Sequence, residues 1–324
     1  MPTSPAAIAS YLDMERREYA ALVARSQFGD EAFAASNSGE HVVGSYAGHE
    51  AFDYERWLLG GLTRQPGAVA IDYGCGPGRM LKRMARFFQR VDGVDISPEV
   101  IAVAQRRTTD LPVRPRLWVT DGASLPVDTA GQYDFAFSVI CLQHICVHTV
   151  RYQILDGLYR ALKPGGVLSF QLGYGPGHPN MVDYEHDFVQ ATATNGGTDV
   201  GVVHPGEIAA DLTRIGFTRL AYALTPTGPG DRHGAWIFVR AVKPGSVAAI
   251  GDADLAYWTP YGFTALTVDP AAVSTARHIQ RTHGVVGRRR NLHRKLQDAE
   301  RTLTSLRADL ARAISSNAPA NSQD

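Results

Sequence analysis

The sequence is short of cysteine, of long apolar runs and of any excess of one charge. Cys75, Cys141 and Cys146 are its three cysteines in 324 residues. Three thiols are too few for a disulfide framework, and their spacing matches no zinc-ligand pattern. No stretch approaches the roughly 18–20 apolar residues that cross a bilayer as a helix, so no membrane association is expected. Lys and Arg together number 32, as do Asp and Glu. That balance lacks the basic field on which general nucleic-acid and anionic-membrane binding depend. The N-terminus carries acids early and has no basic opening cluster, unlike a secretory leader. These absences predict a cytoplasmic protein. Its 44% hydrophobic and 20% charged content is ordinary for a globular core.

What is present is an alternation of strand and helix patterns. Residues 5–26 read as a helix, with Ile8, Leu12, Tyr19, Leu22 and Val23 at helical spacing and Glu15, Arg16 and Arg17 between them. A second helix is expected over about 49–62, broken by Gln65-Pro66-Gly67. Strands follow at 68–74, 91–95, 116–120, 135–140 and 167–172, with helices at 79–89, from Ser97, and at 149–162. Ser97-Pro98-Glu99 is a helix start: a capping hydroxyl, proline at the first position and an acid in the first turn. A helix over 206–217 and late strands at 220–224 and 235–242 complete the core. Strands alternating with helices predict a doubly wound α/β sheet with helices on both faces.

Five parts follow from this reading. They are an N-terminal helical cap (1–64), a core (65–244), a connecting segment (245–284), a C-terminal heptad helix (285–315) and a disordered tail (316–324). Within the core, residues 173–205 form a long insertion with aromatic and ionisable content, the kind of loop that usually carries function. In the C-terminal helix Leu296, Leu303 and Leu310 lie seven apart, with Leu292, Ala299, Leu306 and Ala313 between them. That a/d stripe predicts a coiled-coil contact, a homodimer through 285–315 or docking on a partner. The basic run GRRRNLHRK at 287–295 reads as the solvated start of that helix, with nucleic acid as the alternative.

The chemistry concentrates in AIDYGCGPGRM, residues 70–80, where a strand runs through Gly74-Cys75-Gly76-Pro77-Gly78 into a helix. Glycine allows positive φ and close backbone approach to a ligand, and the helix start offers free N–H groups. In a doubly wound sheet this turn lies at the strand C-termini, where ligands bind. The dinucleotide fingerprint needs Gly-x-Gly-x-x-Gly. Here the third glycine comes one residue early, at Gly78, and Arg79 takes its place. Asp72 before the turn would repel a pyrophosphate but suits an ammonium group.

In these residues the chain resembles the class I, Rossmann-like methyltransferases that use S-adenosylmethionine. The first motif of that family, an acid followed by Gly-x-Gly-x-Gly, is matched by Asp72 through Gly78. The acid closing its second strand is matched by Asp95 in VDGVDIS, and its third motif by Asp121-Gly122-Ala123. YDFAFSVICLQHI (133–145) and ALKPGGVLSF (161–170) resemble its fourth and fifth segments. The resemblance covers about residues 65–243. It implies a seven-stranded, mostly parallel sheet with one antiparallel strand, and S-adenosylmethionine as cofactor. It also implies a cofactor site of Asp72, Gly74, Cys75, Gly76, Gly78, Asp95, Ile96, Asp121, Gly122 and Ile140. Asp95 would hold the ribose hydroxyls and Asp121 the adenine amino group.

A small-molecule or sugar hydroxyl is the expected acceptor, given the neutral charge and the aromatic insertion. Its proton needs a base. The candidates are His144, after the fourth strand, and His186 in DYEHDF of the insertion. His186 with His178 has the chemistry of a divalent-metal pair, but a solvated loop is the expected reading and no metal is predicted. His41, Tyr46 and His49 are candidates to cap the pocket. The cysteines are expected to act as small buried apolar residues. A non-catalytic scaffold assembling through its C-terminal helix, or methylation of a macromolecule such as RNA, are the alternatives.

Overall fold

The computed structural model describes residues 4–24, 52–175, 181–187, 199–227, 233–246, 250–251 and 254–279. The chain divides into a unit of residues 1–277 and a unit of residues 278–324. The expected heptad helix, the basic run at 287–295, His41, Tyr46, His49 and His178 lie outside the described residues. No described helix is long and apolar enough to cross a membrane.

The glycine-turn strand is β2 (Val69–Tyr73), preceded by a short β1 (Thr63–Arg64). It pairs in parallel with β3 (Arg90–Asp95) on one side and β5 (Tyr133–Ser138) on the other. β4 (Leu117–Val119) lies beyond β3, and β6 (Leu162–Tyr174) beyond β5, also parallel. Next to β6 comes β10 (Ala235–Val242), antiparallel to it, then β9 (Thr218–Pro226) and β12 (Thr264–Ala265). The order is therefore β4-β3-β2-β5-β6-β10-β9-β12. The insertion adds β7 (Met181–Asp183) and β8 (Asp199–Val202), with β8 parallel to the end of β6.

Among the described residues the sheet thus has ten strands, not the seven expected. Seven are in the expected arrangement, with β10 running against its neighbours. The three additions, β7, β8 and β12, are two to four residues long, too short for an alternating pattern to show in sequence. A further two-stranded pair joins β1 to β11 (Ile250–Gly251).

Alternate strand residues feed two cores, as a sheet covered on both faces requires. Ile71, Leu168, Phe170 and Leu172 pack with α5 (His148–Ala161) and α6 (Gly206–Ile215). Ala70, Phe135, Phe137 and Phe238 pack with α2 (Tyr54–Leu59) and α3 (Arg79–Met84). The N-terminal helix α1 (Pro5–Ala24) joins the first core through Tyr11 and lies against α4 (Pro98–Arg107). Ser97 caps α4 as expected, its hydroxyl accepting from Val100 N–H at 3.3 Å.

Several boundaries differ from expectation. The helix from Arg79 stops at Met84, because Gln89 already donates to Ala68 to start the β2–β3 alignment. β5 ends at Ser138, so Val139 and Ile140 leave the sheet. β6 begins at Leu162 and runs through Pro164, with a register shift against β5 between Tyr133 and Phe135. Proline cannot donate to the ladder, and a bulge absorbs the missing bond.

Arg240 of β10 is fully buried, with Phe263 4.1 Å and Trp258 5.3 Å from its guanidinium. It donates to the Gly60 and Trp57 carbonyls at the end of α2. Burial pushes its pKa down to about 9. Arg240→Ala is expected to cost about 3 kcal/mol or more, because it opens a cavity in the core and removes the donors to two part-buried carbonyls. Urea denaturation measures this, and a loss below about 1 kcal/mol would contradict it.

Candidate active site

At the C-terminal edge of β2 the chain turns through Gly74, Gly76 and Gly78 at φ +73°, +52° and +87°. All three lie in the left-handed region that glycine occupies without a steric penalty. Gly74 and Cys75 N–H both donate to the Val94 carbonyl, and Gly76 N–H donates to Asp95 Oδ2 at 3.0 Å. Asp95 Oδ1 accepts from Ser97 N–H, also at 3.0 Å. One carboxylate thus ties the glycine turn to the start of α4. Burial pushes the Asp95 carboxyl up to about 6 against the pull of these N–H groups.

Above the turn lies a cavity of about 670 Å³ that opens to solvent. Of the expected cofactor residues, Gly74, Gly76, Asp95, Ile96, Gly122 and Ile140 line it. Ile140 has φ +49°, an uncommon conformation for a β-branched residue and one that concentrates at functional sites. Cys75 is buried beneath the turn and Gly78 caps α3. The Asp121 side chain accepts from Ala123 and Ser124 N–H, so it shapes the turn that presents Gly122 to the cavity. Burial raises the pKa of all three thiols.

Asp72 is 1% exposed, and among the described residues its Oδ1 has no hydrogen-bond partner. Burial raises its pKa well above the usual range, opposed by the Arg79 charge and reinforced by Asp95. An orphaned buried carboxylate oxygen at the foot of a ligand turn is a costly arrangement unless a donor arrives.

The N-terminal helix closes the cavity as a cap, but with residues that the sequence did not single out as a site. Tyr11, Leu12, Glu15 and Tyr19 line the cavity together with the glycine turn. The helix is held there by Tyr11, whose hydroxyl accepts from Cys146 N–H at 3.0 Å and meets the His144 carbonyl at 3.5 Å. Tyr11, Glu15 and Tyr19 are four residues apart, a polar-tipped stripe on one helical face, and that spacing was the available signal. Tyr73, Val100, Cys141 and Ile145 complete the wall. Among the described residues, Glu15 and Asp95 are its charged groups, and no Lys, Arg or His lines it.

The two expected bases are placed differently. His144 Nδ1 lies 2.8 Å from Asp199 Oδ1 of β8, and its Nε2 lies 3.4 Å from the Gln143 amide nitrogen. The ring is a third exposed, and its neighbour Ile145 lines the cavity. His186 is 62% exposed, 3.5 Å from Asp183, and does not line the cavity. Around it Asp187 accepts from Thr149 at the start of α5, and the buried Arg151 donates to the Tyr184 and Ile145 carbonyls. These bonds pin the first part of the insertion to the core. Among the described residues no three His, Cys, Asp or Glu side chains gather as a metal site.

Strand order, the reversed β10 and the glycine turn with its paired acid define a class I, Rossmann-like methyltransferase fold. Residues 70–166 match the family model described as a methyltransferase domain. A Streptomyces fradiae protein, an uncharacterized 37.1 kDa protein in transposon TN4556, is 33% identical over 168 residues, 51% of this chain and 46% of that protein. Ubiquinone biosynthesis O-methyltransferase of Xanthomonas oryzae is 31% identical over 102 residues, 32% of this chain and 41% of that enzyme. The chain thus spans less than half the length of these curated relatives. Among solved structures, Haemonchus contortus phosphoethanolamine N-methyltransferase 2 in complex with S-adenosyl-L-methionine is 20% identical. It superposes with a TM-score of 0.47 over 70% of this chain and 60% of its own.

Proposed function

We propose that this protein transfers the methyl group of S-adenosylmethionine to a hydroxyl of a small molecule or sugar. The observation that carries the cofactor reading is one cavity joining Asp95, Gly74 and Gly76 to an otherwise largely uncharged wall. The residues fit that group. A Cβ on Gly76 would meet nothing within 4 Å, which leaves room at the turn for a ligand. Asp95 uses one lone pair of each oxygen on a backbone N–H and keeps the others for a ribose diol. The orphaned Asp72 oxygen supplies an acceptor beside the turn for an ammonium group. Two wall carboxylates without a wall cation suit a positively charged ligand. When bound, the cofactor supplies an electrophilic methyl on a sulfonium, and alignment of the acceptor supplies much of the rate.

His144 is the proposed base. Asp199 accepts from its Nδ1–H, which leaves Nε2 as the basic nitrogen. The long Gln143 contact on Nε2 is readily exchanged for an acceptor hydroxyl. His186 stands in solvent and is not assigned a step. The hydroxyl preference draws support from the ubiquinone-pathway relative, an O-methyltransferase by name, and from the net charge of zero. A dimer through 285–315 and a cytoplasmic location stay part of the proposal.

Radiolabelled S-adenosylmethionine offered with hydroxylated small molecules, amines and RNA tests the reading. Label is expected in a low-mass hydroxyl compound, and label in RNA alone would overturn the acceptor class. With that acceptor, His144→Ala is expected to lower kcat by about a hundredfold or more. Its cofactor affinity should stay within about twofold of wild type, since no wall contact is removed. Equal turnover by the variant would remove His144 from the mechanism.

A further inference from the structure

Glu15 has no step of its own in the mechanism above, yet it lines the cavity together with the glycine turn. It comes from α1, which is neither part of the sheet nor inside the segment matched by the family model. On its own helix Tyr11, Glu18 and Tyr19 stand near it. From the segment after β5, His144, Cys141 and Cys146 face it. Asp95 shares the cavity wall. His144 is already engaged by Asp199. Among the described residues Glu15 therefore has no cation of its own in the wall.

We propose that Glu15 is a specificity-determining residue that distinguishes the cationic cofactor from its neutral product through the charge at sulfur. This rests on the cofactor reading given above. In the transfer, the acceptor oxygen forms a bond to the methyl carbon. The carbon–sulfur bond breaks with its electron pair kept by sulfur, and the hydroxyl proton passes to the base. The ligand's sulfur thus goes from positive to neutral while ribose, adenine and amino-acid groups are unchanged. A carboxylate in a largely apolar cavity senses that change more than one in water would. Asp95 faces groups common to both ligands and cannot separate them in the same way.

Burial pushes the Glu15 carboxyl up to about 7 in the ligand-free protein, and nearby His144 and Tyr11 only partly oppose it. A cationic ligand favours the ionised form, so its binding drives a proton off Glu15 near neutral pH. The neutral product has no such effect. The ratio of the two affinities consequently reports Glu15, because pH effects acting through Asp95 on the shared ribose cancel. The same shift sets the sign for stability. A raised carboxyl holds its proton in the fold after the unfolded chain has released it, so stability falls as pH rises from the ordinary carboxylate range toward about 7. Glu15→Gln removes that penalty, and is expected to melt no lower than wild type at pH 8.

The test is isothermal titration of the full chain with S-adenosylmethionine and with S-adenosylhomocysteine at pH 6, 7 and 8, for wild type and Glu15→Gln. In wild type the affinity ratio favouring S-adenosylmethionine is expected to rise about tenfold from pH 6 to pH 8. In the variant it should be lower and flat. A ratio independent of pH in wild type, or a pH dependence that survives in Glu15→Gln, overturns the proposal while leaving the cofactor reading intact. Binding of neither ligand to folded wild type overturns the cofactor reading and this proposal with it. Should Glu15→Gln not fold, titration of wild type at pH 7 in buffers of different ionisation enthalpy decides. S-adenosylmethionine should release about half a proton more than S-adenosylhomocysteine, and equal release by both overturns the assignment.

Discussion

Asp95→Ala is expected to bind S-adenosylmethionine at least tenfold more weakly than wild type, with a hundredfold loss within reach. Two effects combine. The variant loses a charged acceptor for two ribose hydroxyls, each such bond contributing about 1.5–3 kcal/mol. It also loses the carboxylate that joins Gly76 N–H to Ser97 N–H at 3.0 Å each, so the glycine turn is no longer tied to α4. Asp95→Asn separates the two. It keeps an oxygen for one N–H but presents an amide to the other, and its affinity should fall between those of wild type and Asp95→Ala. Because burial holds the Asp95 carboxyl near about 6, binding of either ligand should weaken as pH falls below that value in wild type. Calorimetric titration reads all three proteins. An Asp95→Ala protein that binds as wild type does would mean that the cavity is not the cofactor site.

The second large effect is expected at Gly74, and its contrast with Gly76 is the informative part. Both have positive φ, so alanine at either costs about 1–2 kcal/mol in backbone strain. A Cβ on Gly74 would also lie 2.7 Å from the Cys141 Cβ and closer still to its sulfur. Cys141 follows the strained Ile140 and is itself part of the cavity wall. Relief requires the segment after β5 to move, so Gly74→Ala should lose about 3 kcal/mol or more of stability, overpacking adding to strain. Gly76→Ala meets nothing within 4 Å and should lose only the strain energy. Its cost should appear in ligand affinity instead, because the methyl group enters space at the cavity wall. Denaturation and titration of both variants give the comparison. Equal stability losses would show that Cys141 yields freely and that contact at Gly74 is not limiting.

Much of the fold was legible because the signals are local. Ser97-Pro98 starts a helix wherever it stands, and a glycine triplet after an apolar run predicts a turn with positive φ. The order of β2 to β6 and the roles of Gly74, Gly76 and Asp95 in the cavity wall follow from such signals and from the resemblance they supported. Element ends were less legible. The α3 helix stops at Met84 because Gln89 must meet Ala68 across the sheet, a partner distant in sequence. The three short strands β7, β8 and β12 exist only because a longer strand is already in place to pair with them.

The candidate site divides in the same way. Tyr11, Glu15 and Tyr19 carry no motif, and their helix reads as a cap in sequence without singling them out as a site. His144 was legible as a candidate, but Asp199, fifty-five residues later, was not. That partner is delivered by β8 pairing with the end of β6. His186 looked equivalent to His144 in sequence and stands in solvent instead. By itself the sequence determined the doubly wound core and its ligand turn, because backbone conformation and strand–helix alternation are written in adjacent residues. Only the tertiary structure decided which carboxylates face the cavity and which histidine has an acid behind it. Burial and charge pairing are properties of residues brought together from separate elements, and no local pattern encodes them.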